Sequence, residues 1–185
     1  MKATPIERWT CAKSAELYGI REWGASYFSI SDEGEILVRL GKDRDCSVSL
    51  VQVVRGLRER GMEMPVLLRF GDILDSRISL LNESFAKARS EAGYRGEYRG
   101  VYPIKVNQQQ QVIEEITRFG QRYHHGLEAG SKAELIAALA YLQDPEAFLV
   151  CNGYKDEEFI DLALHAQKMG LKVMLVLEMP TELDL

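Results

Sequence analysis

Lys105 closes a short apolar stretch, Val101-Tyr102-Pro103-Ile104, and a glutamine-rich helix start, Gln108 to Gln111, follows soon after. Period-two alternation predicts Val101, Pro103 and Lys105 on one face of a strand and Tyr102, Ile104 and Val106 on the other. A lysine at the C-terminal end of a strand, just ahead of a helix, is where a barrel enzyme holds a reactive amine. Apolar walls disfavour the ammonium form of such a lysine and free its nitrogen to form a Schiff base. The same spacing also suits a lysine that snorkels to water. Glu128, at the end of the short strand in Gly126-Leu127-Glu128-Ala129-Gly130, has two readings. It is a carboxylate facing the same mouth as Lys105, or one favoured by the dipole of the helix that follows. Asn107 and Asn152 follow their strands as substrate hydrogen-bonding groups or as turn residues. His124 and His125 suggest acid–base work, but they precede their strand and so fall at the opposite, stabilising end. His165 sits mid-helix as an exposed or packing residue.

Composition narrows the classes. The chain has 185 residues, 46% hydrophobic and 28% charged, which is an ordinary globular balance for one domain or one domain with an appendage. A net charge of −5, with signs mixed along the chain, offers no basic field for nucleic acid. No apolar run reaches transmembrane length, and the N-terminal residues lack the apolar core of a signal peptide. Cys11, Cys46 and Cys151 are odd in number and far apart, as expected of reduced thiols in a cytoplasmic protein. No Cys/His cluster has zinc-ligand spacing.

The positioning elements follow in order. A polar tail and a short helix, Ser14 to Tyr18, are ended by Gly19. Trp23 to Ile30 and Glu35 to Leu40 alternate as two strands of a β-hairpin around Ser31-Asp32-Glu33-Gly34. A helix is expected to open at Ser47-Val48-Ser49-Leu50, to carry Val51, Val54 and Leu57, and to stop at Gly61. Strands at Pro65–Phe70, Gly100–Val106, Gly126–Gly130, Ala147–Asn152 and Leu171–Leu177 then alternate with four helices. The first of those helices, from about Ser76 to Ala92, presents Ile78, Leu81, Phe85 and Ala88 on one face. The others run over Gln109–Phe119, from a Ser131 cap to about Leu142, and over Glu157–Met169. Ser131 with Glu134 is a capping box. Strict alternation of five β and four α elements predicts parallel strands with crossover helices, in a doubly wound sheet or a barrel. No Gly-x-Gly-x-x-Gly follows the first strand, which weakens the dinucleotide-binding alternative.

Tyr102-Pro103-Ile104-Lys105-Val106-Asn107-Gln108 resembles the cofactor-lysine motif of the alanine-racemase-like, pyridoxal-phosphate-dependent decarboxylases, in the wording of the biosynthetic arginine decarboxylases. Trp23-Gly24, Arg69-Phe70-Gly71-Asp72 and Leu127-Glu128-Ala129-Gly130 extend the resemblance from the hairpin to the last strands. It implies a partial (β/α)8 TIM barrel at 63–185, about five of eight strands, preceded by an N-terminal β-hairpin and helix element at 1–62. It further implies that Lys105 is the pyridoxal 5'-phosphate lysine and that Glu128 is a catalytic carboxylate beside it. The implied reaction is decarboxylation of L-arginine to agmatine in polyamine biosynthesis, with Mg2+ as an accompanying ion. Full-length members form homo-oligomers with active sites at subunit interfaces. The phosphate cup, the pyridine-nitrogen partner and the second subunit's cysteine belong to later units, so a chain ending at residue 185 is expected to be nearly inert alone. Diaminopimelate or carboxynorspermidine decarboxylase is the alternative within the family. A Schiff-base aldolase without the cofactor fits the pattern but not the wording around Lys105.

Overall fold

The computed structural model describes residues 8–39 and 46–185. Residues 1–7 of the expected polar tail, and Leu40 at the end of the second hairpin strand, lie outside the described residues. Internal contacts divide the chain into two units, residues 1–73 and 74–185.

In the first unit, α1 (Cys11–Leu17) starts at Thr10, whose hydroxyl accepts the backbone N–H of Lys13. Gly19, with φ of 58°, separates it from α2 (Ile20–Gly24). Trp23 and Gly24 therefore belong to a helix, not to the first hairpin strand as expected. Positive φ at Ala25 and Ser26 turns the chain before an extended backbone begins. The hairpin pairs β1 (Phe28–Ile30) with β2 (Ile36–Arg39). A third strand, β3 (Ser47–Ser49), adds to β2 where a helix start was expected. Ser49 explains the correction: its hydroxyl accepts the N–H of Gln52 and donates to Glu35 Oε2, so the backbone stays extended up to this cap. Helix α3 then runs over Leu50–Glu59. Val38, fully buried at the middle of the sheet, anchors this small core.

Residues 65–70 form no strand, so the first expected barrel strand is absent from the ladder. Pro65 has no N–H to donate, and no strand among the described residues pairs with this stretch. Helix α4 (Gly71–Glu91) follows and runs beyond the boundary between the units. Its buried stripe is Ile78, Ser79 and Asn82, whereas Leu81 and Phe85 are about half exposed. The expected apolar face is thus rotated, and Phe85 stacks on Tyr98 instead.

The second unit is built on four parallel strands in sequential order: β4 (Val101–Pro103), β5 (Gly126–Ala129), β6 (Phe148–Cys151) and β7 (Lys172–Leu175). Helices α5 (Gln110–Gly120), α6 (Lys132–Tyr141) and α7 (Glu157–Lys168) make the crossovers. Every one of the three starts at an extended residue, and Ser131 and Asp156 cap α6 and α7 through their side chains, each worth ~1 kcal/mol. Leu127 and Ala129 of β5, with Leu149 and Cys151 of β6, pack on Leu135, Ala138, Phe159 and Ala163 in one fully buried cluster. Burial pushes the Cys151 thiol up to about 11, so it behaves as an inert core residue. The architecture is α/β with a parallel sheet, one strand short of the expected five.

Candidate active site

Alternation assigns the two faces of β5. Leu127 and Ala129 point into the helix-covered core, so Glu128 emerges on the opposite face, in register with Pro103 of β4 and Val150 of β6. Glu128 is nonetheless only 5% exposed, which places a carboxylate on a largely dry sheet face. Such a group needs a partner.

Lys105 provides it. The strand stops at Pro103, and Ile104–Val106 wind into a 3-10 turn, which corrects the expected alternation through Val106. The turn sends Ile104 into the core and leaves Val106 exposed, so these two do not share a face. It also aims Lys105 across the end of β5, where Nζ donates to Glu128 Oε1 at 3.4 Å. That distance is long for a charge-assisted hydrogen bond. The Lys105 side chain is 59% exposed against 7% for Glu128, so the amine is reachable while the carboxylate is not. The described residues do not enclose Lys105 in apolar walls.

Four loops meet at this C-terminal end of the sheet. Asn107 Oδ1 accepts the N–H of Gln109, which is turn chemistry. Gln108 Nε2 donates to Glu134 Oε1 at 3.1 Å, and Glu134 Oε2 accepts the N–H of Gly130 at 2.7 Å. The expected capping box is half present: Ser131 Oγ accepts the N–H of Glu134, but the carboxylate reaches past Ser131 to Gly130, in the loop that follows β5. The Asn152 backbone N–H donates to Ala129 O at 2.9 Å and continues the ladder. No local pattern in the sequence marks Gln108 and Glu134 as a tie between loops. Nor does one mark Lys155, fully buried and paired with Glu182. The only sequence signal for Lys155 is its place after a strand, which it shares with Lys105.

The histidines lie at the other end. His124 Nδ1 is 2.8 Å from Asp144 Oδ2. His125 is buried against Gly100, where an added Cβ would lie 2.3 Å from its Nδ1, an atom with no hydrogen-bond partner. Desolvation lowers the His125 pKa and keeps the ring neutral. A groove of about 340 Å³ opens there, bordered by Glu114, Arg118, His125 and Asp144 but by neither Lys105 nor Glu128. His165 is exposed on α7, with Nδ1 against Asp161 O. Among the described residues no three His, Cys, Asp or Glu side chains gather as a metal site, and no helix is long and apolar enough to cross a membrane.

Known proteins are similar to this chain in sequence and in fold. Residues 78–185 match the family described as pyridoxal-dependent decarboxylase, pyridoxal binding domain. A biosynthetic arginine decarboxylase from Synechococcus sp. is 47% identical over 176 residues, covering 95% of this chain and 28% of the relative. One from Gloeobacter violaceus is 47% identical over 180 residues, covering 97% and 28%. The crystal structure of the biosynthetic arginine decarboxylase from Campylobacter jejuni superposes with a TM-score of 0.83 at 38% identity, over 90% of this chain and 28% of that one. The chain thus spans about 28% of the length of these relatives. With the match to the pyridoxal binding domain covering residues 78–185, more than half of the chain, the chain belongs to the pyridoxal-dependent decarboxylase family.

Proposed function

We propose that this chain carries the lysine-bearing segment of a decarboxylase that converts L-arginine to agmatine, with Lys105 as the cofactor lysine and Glu128 as its proton partner. The observation that carries the reading is the reachable Lys105 Nζ 3.4 Å from the buried Glu128 Oε1, at the ends of neighbouring parallel strands. This pair suits an aldehyde cofactor. An amine attacks a carbonyl carbon only when its lone pair is free, and Glu128 Oε1 is placed to accept the proton from Nζ. Burial keeps that carboxylate away from bulk water, so the proton stays at the site. When bound, pyridoxal phosphate supplies the electron-withdrawing ring that holds the electron pair released as the bond from Cα to the carboxylate breaks. Carbon dioxide leaves, one proton adds at Cα, and arginine becomes agmatine.

The wider reading rests on the same resemblance. The four parallel strands are the arc of an alanine-racemase-like barrel within residues 63–185, and residues 1–62 are a separate N-terminal element. The whole enzyme works in polyamine biosynthesis, in the cytoplasm, as a homo-oligomer with sites at subunit interfaces. Three free cysteines support a reducing compartment. Magnesium rests on resemblance alone.

A hybrid tests the activity. This chain replaces the matching segment of the Synechococcus enzyme, and carbon dioxide release from arginine, ornithine and meso-diaminopimelate is measured. Release from arginine that disappears on Lys105→Ala is the expected result. A folded, cofactor-bound hybrid that leaves arginine untouched, or prefers meso-diaminopimelate, contradicts the proposal.

A further inference from the structure

Among the described residues, one of the largest fully buried side chains is a charged one, Lys155. It follows β6 in Asn152-Gly153-Tyr154-Lys155-Asp156, and its ammonium meets Glu182 Oε2 at 3.4 Å and Gly153 O. Glu182 lies in the 3-10 turn Pro180–Asp184 and is itself 5% exposed. Its two oxygens also accept backbone N–H groups, Oε1 from Lys155 at 3.0 Å and Oε2 from Glu178 at 2.8 Å. An apolar pair of the same volume would generally fill such a space as stably. What the charged pair adds is direction: it fixes backbone at positions 153, 155 and 178 at once.

Those positions lead back to the site. Gly153 N–H donates to Glu178 Oε1 at 3.0 Å. Its φ of +75° and its closeness to Gly130, whose carbonyl oxygen an added Cβ would approach to 2.7 Å, press the loop after β6 on the loop after β5. Gly130 in turn is tied through Glu134 to Gln108, three residues past Lys105. One connected set of contacts therefore runs from the turn at Glu182 to Gly130, two residues past Glu128, and to Gln108, three residues past Lys105.

We infer that Lys155 and Glu182 are positioning residues, a buried strut that holds the loop after β6 against Gly130 and so fixes Glu128 relative to Lys105. The inference deepens the proposed function and rests on Lys105 being the cofactor lysine. Neither residue touches the reacting atoms.

The test uses the 185-residue chain as wild type, Glu182→Ala, Glu182→Gln and Glu178→Ala. Amide hydrogen exchange is read beside the lysine distribution of pyridoxal phosphate fixed by borohydride. Glu182→Ala should speed exchange at Gly130, Asn152 and Gly153 at least tenfold while the α5 amides stay within twofold. It should also lower the Lys105 share of label at least threefold and let label appear on Lys155. Glu182→Gln keeps the shape and one carbonyl oxygen and should recover at least half of that share. Glu178→Ala removes an exposed side chain, leaves the core intact and should act in the same direction more weakly. It decides the matter should Glu182→Ala not fold. Acceleration that is equal in α5 and the loops means a role in stability alone and overturns the inference. So does selective Lys105 labelling that is unchanged in the variants. Diffuse labelling of the wild type counts against the Lys105 reading instead, and exchange at Gly130 then decides the strut by itself.

Discussion

Lys105 and Lys155 occupy the same kind of place, after a parallel strand and before a helix, at the same end of one sheet. Their surroundings are opposite. Lys105 is mostly exposed and makes one 3.4 Å contact to a buried carboxylate. Lys155 is fully buried, with its ammonium held by Glu182 and the Gly153 carbonyl and its backbone N–H given to the same carboxylate. A lysine that must exchange partners during chemistry needs access and a loose contact. One that sets geometry needs neither. Strand-end position alone does not distinguish the two, and the distribution of desolvation across each pair does.

Substitutions sharpen the contrast. The largest effect is expected from Lys155→Met, which strands the Glu182 carboxylate in the interior. The melting midpoint should fall by roughly 10 °C or more, followed by circular dichroism. Lys105→Met also leaves the buried Glu128 carboxylate without its lysine, but should lower the midpoint less than half as far, because that contact is single and long whereas the Lys155 ammonium joins two partners. The reverse ranking would break the comparison. A second effect belongs to Glu128→Gln, which keeps shape but cannot take the Nζ proton. Covalent trapping at Lys105 should slow about tenfold or more, with the midpoint nearly unchanged, as stopped-flow absorbance would record. A rate equal to wild type would remove Glu128 from the chemistry.

The smallest effect concerns acid. The N–H of Glu178, with help from the Lys155 N–H and ammonium, holds the Glu182 carboxyl below its usual value of 4.5. A carboxyl whose folded pKa is depressed stabilises the fold fully above its unfolded pKa and loses that contribution as pH falls through the folded one. The melting midpoint of the wild type should therefore drop below about pH 4.5, and more steeply than that of Glu182→Gln. Parallel acid limbs for the two proteins would show that this carboxyl is not held as described.

Much of this was readable from residue order. The β–α alternation, the Ser131 cap and the placing of Lys105 and Glu128 at neighbouring strand ends all follow from local periodicity, which acts over a few residues. The features that escaped are long-range or competitive. Ser49 looks like a helix opener, yet pairing with β2 holds residues 47–49 extended. Pro65–Phe70 has strand-like residues but no ladder partner among the described ones. The alternation through Val106 fails because a 3-10 turn at Ile104 buries one side chain and swings the next to Glu128. Lys155 and Glu182 are 27 residues apart, and no period links them. Two hydrophilic residues in loops give no sign that they will be buried together.

The most direct test of the central claim is selectivity among lysines in the wild-type chain. Pyridoxal phosphate is added, the product is fixed with borohydride, and label is quantified by peptide mass spectrometry. Lys105 should carry most of the label and Lys155 none, although Lys87, at 77% exposure, is more open than Lys105. Label spread over Lys87, Lys132 and Lys168 in proportion to exposure would mean that the pairing with Glu128 does not single out Lys105, and would contradict the account.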